Sequence, residues 1–449
     1  MSRWANLPPI RPVFPPSDAR QKINPDAMKR ILLLTLPALL VATGSASAQT
    51  DGEQQKSRPR VVTTITPGVV IGPAVNPGAT GLRGTALAVV PTDLVEVFTN
   101  PVSTPVTAPP PTLSFAQFRG RLEEAKREMG GRPMLTALAD RPTQTSYVQM
   151  AFLDSNTGQI DYAVILKDQY LRKGVEHRLT TKANRTVVLR VVRPNGVNTP
   201  LIVTDEMGRS HLPLVAQYPV EREGRFYEIS YYVSTHPGIV TEETVGLGRN
   251  YIRNVIDAAR FELQAKGFVI SPLAADMAER LCVVEHVDHL RFRTEPHQNI
   301  YNDIFTLYAF NEGQTYRYSV SSAGAGGMIQ MIPSTYRLMR NRFPGAGLMP
   351  DFVDGMQNHA NAAKAMLLYI QLTHDDLMRS SVVSDAVRNG TASIHELLSA
   401  GYNSNPARLA GYIRRGGPGW RNLIPRETQI YLQINASMDI HVPIDPREN

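Results

Sequence analysis

The spacing of apolar residues changes character along this chain. Behind Ser114, the residues Phe115, Phe118, Leu122, Ala125 and Met129 recur at helical spacing, and Gly130-Gly131 follows. That pattern predicts a capped amphipathic helix. Between 145 and 235 the apolar runs become short. Tyr147–Leu153 and Ile160–Leu166 flank Asn156-Thr157-Gly158, a hairpin signal. Thr186–Val192, Leu201–Val203 after Pro194-Asn195-Gly196, and Phe226–Val233 read as further strands. Short strands with such punctuation predict a small sandwich or barrel. From about Asn250 the helical spacing returns. Ile252, Val255, Ile256, Ala259 and Leu263 share one face, closed by Gly267. Helical patterns continue over 272–290, 329–342, 354–372, 392–400, 405–415 and 425–437. The expected fold class is therefore α+β. Residues 113–245 read as a helix plus a β-rich accessory domain, and 246–440 as an all-α domain.

The N-terminal stretch changes the picture. Met28-Lys29-Arg30, the apolar run Ile31 to Val41, and Gly44-Ser45-Ala46-Ser47-Ala48 have the layout of a cleavable signal peptide over 28–48. The run falls well short of the roughly 20 apolar residues that a membrane span needs. Residues 1–27 are Pro-rich and read as a mis-assigned start. Residues 49–112, rich in Pro, Thr and Val, read as an extended linker. The expected location is the periplasm or cell envelope, with no integral membrane segment after cleavage. Cys282, the only cysteine among 449 residues, forms no internal disulfide, which suits an oxidising compartment. The net charge of +7 favours an anionic partner. No basic tract interleaved with aromatics stands out, so nucleic acid is not expected.

Two places carry candidate chemistry. Gly324-Ala325-Gly326-Gly327-Met328-Ile329-Gln330-Met331-Ile332-Pro333-Ser334-Thr335 is neither a core helix nor a linker. Its glycines suggest close approach to the backbone, followed by a helical face presenting Gln330. Glu285 follows Leu281-Cys282-Val283-Val284 near an expected helix end. Apolar neighbours there would desolvate the carboxyl and favour its protonated form, as a general acid requires. A solvated helix-face glutamate is the plainer reading of that local sequence.

With these residues the chain resembles the lysozyme-like lytic transglycosylases of the soluble lytic transglycosylase type. The family order is matched by Glu285, then Ser321 to Thr335, then Gly401-Tyr402-Asn403-Ser404-Asn405-Pro406, then Ile424-Pro425-Arg426-Glu427-Thr428-Gln429-Ile430-Tyr431. The resemblance spans about 270–437 and implies a lysozyme-like C-terminal fold. It implies Glu285 as the single acid/base, and Ser321, Gly324, Ala325, Gly327 and Gln330 as a wall for the sugar chain. Tyr402 would face the reacting sugar, Asn403 would brace the turn, and Glu427 would position substrate. The implied reaction cleaves the β-1,4 bond between N-acetylmuramic acid and N-acetylglucosamine, leaving a 1,6-anhydro product. Implied partners are peptidoglycan glycan strands, with a cell-envelope protein as a candidate for the β-rich region. No cofactor and no metal are implied.

The chain also departs from that pattern. His286 stands where the family has Ser, Gly401 replaces Ala, and Asn405 replaces Gly. A long segment containing Tyr301, Tyr308, Phe310, Tyr316 and Tyr318 separates Glu285 from Ser321, and reads as an inserted lobe that shapes the sugar groove by aromatic stacking, with core packing as the plainer alternative. His286, Asp288, His289 and His297 cluster without a zinc-like spacing. Asp288, three residues from Glu285, opens a second reading in which it holds a water and the bond is hydrolysed as by a goose-type lysozyme. A third reading is a non-catalytic peptidoglycan-binding protein.

Overall fold

Ser114 opens the first helix, α1 (Phe115–Met129), through a reciprocal capping box with Gln117, and Gly130 closes it at φ 67°. The computed structural model describes residues 113–130 and 146–448. The expected signal peptide, the linker and the upstream residues lie outside that range.

Seven strands form one antiparallel sheet. They are β1 (Tyr147–Leu153), β2 (Ile160–Leu166), β3 (Glu176–Thr180), β4 (Thr186–Val191), β5 (Leu201–Asp205), β6 (Ser210–Arg222) and β7 (Arg225–Tyr232), with a one-turn helix, α2 (Lys167–Tyr170), after β2. The order is β2-β1-β6-β5-β4-β3, and β7 also pairs with β6. The ends of the sheet curl toward each other, and Lys182 N donates to Tyr162 O at 2.8 Å. Strand β1 shows why the sequence alternates as it does. Val148, Met150 and Phe152 point into the sheet's concave core. Ala151 and Leu153 pack with Phe118 and Leu122 of α1 on the outer side. Both faces of β1 are thus buried.

Strands β3 and β6 lie where no strand is expected. The longest strand, β6, contains Pro213 and Pro219, residues that ordinarily argue against a central strand. Pro213 is tolerated because it sits opposite Phe152, where a register shift interrupts the ladder.

The helical half contains α3 (Glu242–Ala265), α4 (Pro272–Val284), α5 (His289–Thr294), α6 (His297–Phe310), α7 (Pro333–Arg342), α8 (Phe352–Gln357), α9 (His359–Met378), α10 (Ser381–Arg388), α11 (Ile394–Asn403), α12 (Leu409–Gly416) and α13 (Arg426–His441). Its core gathers α3, α4, α6, α9, α11 and α13 around residues such as Ile256, Met277, Leu281, Tyr308, Met366 and Tyr431. Helix α3 crosses α6 at Gly248. A Cβ there would lie 1.8 Å from the Phe305 carbonyl oxygen, so only glycine allows that approach.

Two expectations change here. The helix expected over 329–342 begins at Pro333, because Gln330 holds φ 46° and Gly327 φ 69°, outside the helical region. The aromatic segment after Glu285 is mainly core rather than a groove-lining lobe. Tyr301 and Tyr308 are fully buried, and Phe310 and Tyr316 nearly so.

Sheet and helices form one unit. Asn311 at the end of α6 accepts from Val233 N at 2.7 Å and donates to Val233 O at 3.0 Å. Arg222 at the β6–β7 turn reaches Asp354 and Gln357 of α8 at 3.0 and 2.9 Å. Tyr318 donates to Glu228 of β7 at 2.6 Å.

Candidate active site

Helix α4 starts at Ser271, whose hydroxyl accepts from Ala274 N, and Pro272 occupies its first turn. Its apolar run carries the chain to Glu285, which is the C-cap. Leu281, Cys282, Val283 and Val284 are all buried around it. Glu285 itself is 9% exposed, a low value for a carboxyl group. Tyr431 of α13 donates its hydroxyl proton to Glu285 Oε1 at 2.6 Å. Cys282 is fully buried, and that burial pushes its thiol well above the ordinary range. It is a small core residue rather than a nucleophile.

His286 follows directly. Its Nε2 lies 2.8 Å from Met328 O. A carbonyl only accepts, so Nε2 carries the proton. The ring stacks on Tyr316 with centroids 3.4 Å apart and planes 4° from parallel. The imidazole therefore ties the Glu285 turn to the glycine-rich loop.

That loop folds as a compact turn. Ser321 N donates to Ala325 O at 2.8 Å, and Ala325 N to Ser321 Oγ at 3.0 Å. Gly326 N donates to Met331 O at 3.0 Å. The steric reason for Gly327 is internal to the chain. A Cβ on it would lie 2.4 Å from the Met356 carbonyl oxygen of α8. Gly326 and Ala325 are buried, whereas Ser321 and Gly324 stay partly exposed. Gln330 does not project from a helix face. Its Nε2 turns back to donate to Gly327 O at 2.8 Å and reaches Ser319 Oγ at 3.4 Å.

Tyr402, near the end of α11, is half-buried and donates to Ile329 O at 2.7 Å. Its ring meets Tyr369 edge-on at 5.7 Å. Asn403 accepts from Thr428 Oγ1 of α13 at 2.9 Å. Glu427 lies half-buried in the first turn of α13 behind Pro425, where the helix dipole favours an acid.

These contacts close a circuit. Glu285-His286 is bound to Met328, Ile329 to Tyr402, Asn403 to Thr428, and Tyr431 back to Glu285. Four segments far apart in sequence are joined by four hydrogen bonds of 2.6–2.9 Å. The sequence patterns single out no individual role for Tyr431 or Thr428, and they place Tyr316 in a groove-shaping lobe rather than against His286. Thr428 and Tyr431 carried a usable signal, since residues three apart share a helix face. Nothing in the sequence marks Tyr316 as the plate beneath His286.

Asp288 is occupied otherwise. It caps α5 by accepting from Leu290 N and Arg291 N at 2.8 and 3.0 Å, and it pairs with Arg193. Burial pushes its carboxyl upward. The Arg291 amide and the Arg193 guanidinium outweigh that and hold it below the ordinary range. His297 uses both ring nitrogens, on Ser437 Oγ and Phe292 O, each at 2.8 Å. Among the described residues no group of three or more metal-binding side chains is arranged to hold an ion.

A cavity of about 490 Å³ opens beside the start of α4, lined by Ser271, Asp276, Arg280, His395 and Arg447 among others, without Glu285. Its charges are paired. Arg447 meets Asp276 at 2.8 Å and Asp257 at 2.6 Å, and Arg280 meets Asp439 at 2.6 Å. It presents neutralised charge rather than a reactive group. Comparisons of the chain with protein families, with curated proteins and with solved structures find no match.

Proposed function

We propose that this chain is an exported peptidoglycan lytic transglycosylase with a lysozyme-like helical domain, in which Glu285 is the single acid/base. The observation that carries the reading is the closed hydrogen-bond circuit. The four segments that resemble the family in sequence are the four that meet around Glu285. In the proposed reaction Glu285 protonates the glycosidic oxygen between N-acetylmuramic acid and N-acetylglucosamine. The substrate's acetamido group stabilises the resulting cation. The same carboxylate then takes the proton of the sugar's 6-hydroxyl, which closes the 1,6-anhydro ring without consuming water. A lone carboxylate suffices only in such substrate-assisted chemistry.

Two features favour this division of labour. The Tyr431 phenol donates to Oε1, which fixes the orientation of the Glu285 carboxyl at the end of α4. Asp288 is held as a helix cap and ion-pair partner, which leaves it poorly suited to hold an attacking water. The hydrolytic reading is correspondingly weaker.

The test is digestion of purified sacculi by the chain from Gln49 onward, wild type beside Glu285→Gln, with mass spectrometry of the soluble products. Anhydro-muropeptides from the wild type alone are expected. Reducing ends would instead indicate hydrolysis. Equal release by the substituted protein would remove Glu285 as the catalyst, and sacculus binding without release by either would favour a non-catalytic role.

A further inference from the structure

Between the two segments that supply Tyr402 and Tyr431 runs a stretch of unusual charge. From Leu397 to Arg426 there are five arginines and no aspartate, glutamate or lysine. Arg421 is used internally, with Nη2 2.6 Å from Glu396 Oε2. Arg408, Arg414, Arg415 and Arg426 are exposed. Among the described residues none of these four enters an ion pair with a carboxylate.

Their placement is ordered. Leu409 and Ile413 bury one side of α12. Arg408 precedes that helix in helical backbone conformation. Tyr412 and Arg415 follow it at four and seven residues, so the three share one stripe. The Arg415 guanidinium lies 5.3 Å from the Tyr412 ring centroid. A stacked guanidinium loses rotamer freedom but keeps its edge donors outward, which suits paired hydrogen bonding to a carboxylate. Seven residues of helix separate Arg408 from Arg415 by about 10 Å, close to three residues of extended peptide. Both ends of this stretch are pinned to the circuit, through Tyr402 and Asn403 on one side and Thr428 on the other.

The geometry points to a subsite on the Arg408–Tyr412–Arg415 stripe that binds the carboxylates of peptidoglycan stem peptides beside the glycan strand. This inference rests on the peptidoglycan reading above and gives it a second substrate feature to recognise. The arginines hold the stem, and the circuit around Glu285 holds the sugar. Arg414 and Arg426 add charge on the same acid-free segment.

The test is cosedimentation on ice of the full chain with two preparations of sacculi. One is intact, and the other has its stem carboxylates converted to amides. The variant Arg408→Gln/Arg414→Gln/Arg415→Gln is compared with wild type, and both are checked for an unchanged thermal midpoint. Wild type should need at least about tenfold more amidated than intact sacculi for half-binding, the scale of one or two lost charge-assisted hydrogen bonds. The variant should bind both preparations equally, at the weaker level. An equal loss on both preparations, or no loss on either, overturns the subsite. So does competition by duplex DNA as strong as that of soluble stem peptide at equal charge, because the surface would then be a general polyanion site. Failure of wild type to bind either preparation defeats the peptidoglycan reading itself, a distinguishable outcome.

Discussion

Gly324 and Gly327 both hold left-handed backbone, at φ 76° and 69°, yet the structure assigns them different penalties for a methyl group. At Gly324 the nearest atoms to a new Cβ belong to the Pro333 ring, 3.7 Å away. Gly324→Ala therefore loses only the backbone preference, about 1 kcal/mol. At Gly327 the new Cβ would lie 2.4 Å from the Met356 carbonyl oxygen and 3.1 Å from its carbonyl carbon. The loop would have to retreat by nearly an ångström from α8, and overpacking of that kind adds about 1–3 kcal/mol. Gly327→Ala should thus cost about 2–4 kcal/mol, clearly more than its neighbour. The retreat also pulls on Met328 and Ile329, whose carbonyls accept from His286 and Tyr402. Sacculus digestion should fall with stability in Gly327→Ala but stay close to wild type in Gly324→Ala. Urea denaturation of the two variants, with m-values compared to confirm a common unfolded state, measures the difference. Equal losses, or a greater loss at Gly324, would refute the claim that contact with α8 rather than backbone conformation fixes this loop.

Three further outcomes follow from the same geometry. Tyr431→Phe removes the donor to a buried carboxyl and should lower unfolding stability by about 1–3 kcal/mol, with muropeptide release down about tenfold or more. Unaltered release would mean that this hydrogen bond does not prepare Glu285 for its role. Burial lowers both His236 and His359 to about 4, against about 6.5 in an unfolded chain. Below pH 6.5 the unfolded state gains protons that the folded state refuses. Stability should therefore fall as pH drops from about 6.5 to about 4, by up to about 3 kcal/mol per histidine. Urea melts across that window should show the slope, and His359→Gln should flatten it; an unchanged slope in that variant would count against the assignment. Asp288→Ala loses the cap of α5 and the Arg193 pair, so about 1–2 kcal/mol of stability should go. The anhydro product should persist at a similar rate, whereas abolished release would return Asp288 to the chemistry.

Local signals in this chain were readable where a residue acts on its own neighbours. The Ser114 cap, the hairpin around Asn156-Thr157-Gly158 and the helical face of Ile252, Ile256, Ala259 and Leu263 emerged as their spacing predicts. Strand β6 is not legible from the chain because Pro213 and Pro219 argue against a central strand, and a register shift opposite Pro213 accommodates the first of them. Apolar spacing extends the predicted helix back to Ile329, whereas α7 begins at Pro333 because the backbone at Gln330 is left-handed. The tyrosines after Glu285 looked available for sugar stacking, but burial depends on what covers them, and sequence order does not report that.

The sequence by itself determined the α+β division, most helix and strand positions, and the four segments that carry the candidate chemistry. The first two follow from spacing along the chain, through apolar period, capping residues and turn residues, whereas the four segments stand out through their resemblance to the transglycosylase order. The tertiary structure decided which partner each segment has. It put Met356 against Gly327, turned Gln330 back on its own loop, stacked His286 on Tyr316, and aimed Tyr431 at Glu285. Those pairings join residues up to 146 positions apart. They are set by which surfaces the packed core brings together, and no local pattern in the chain encodes that.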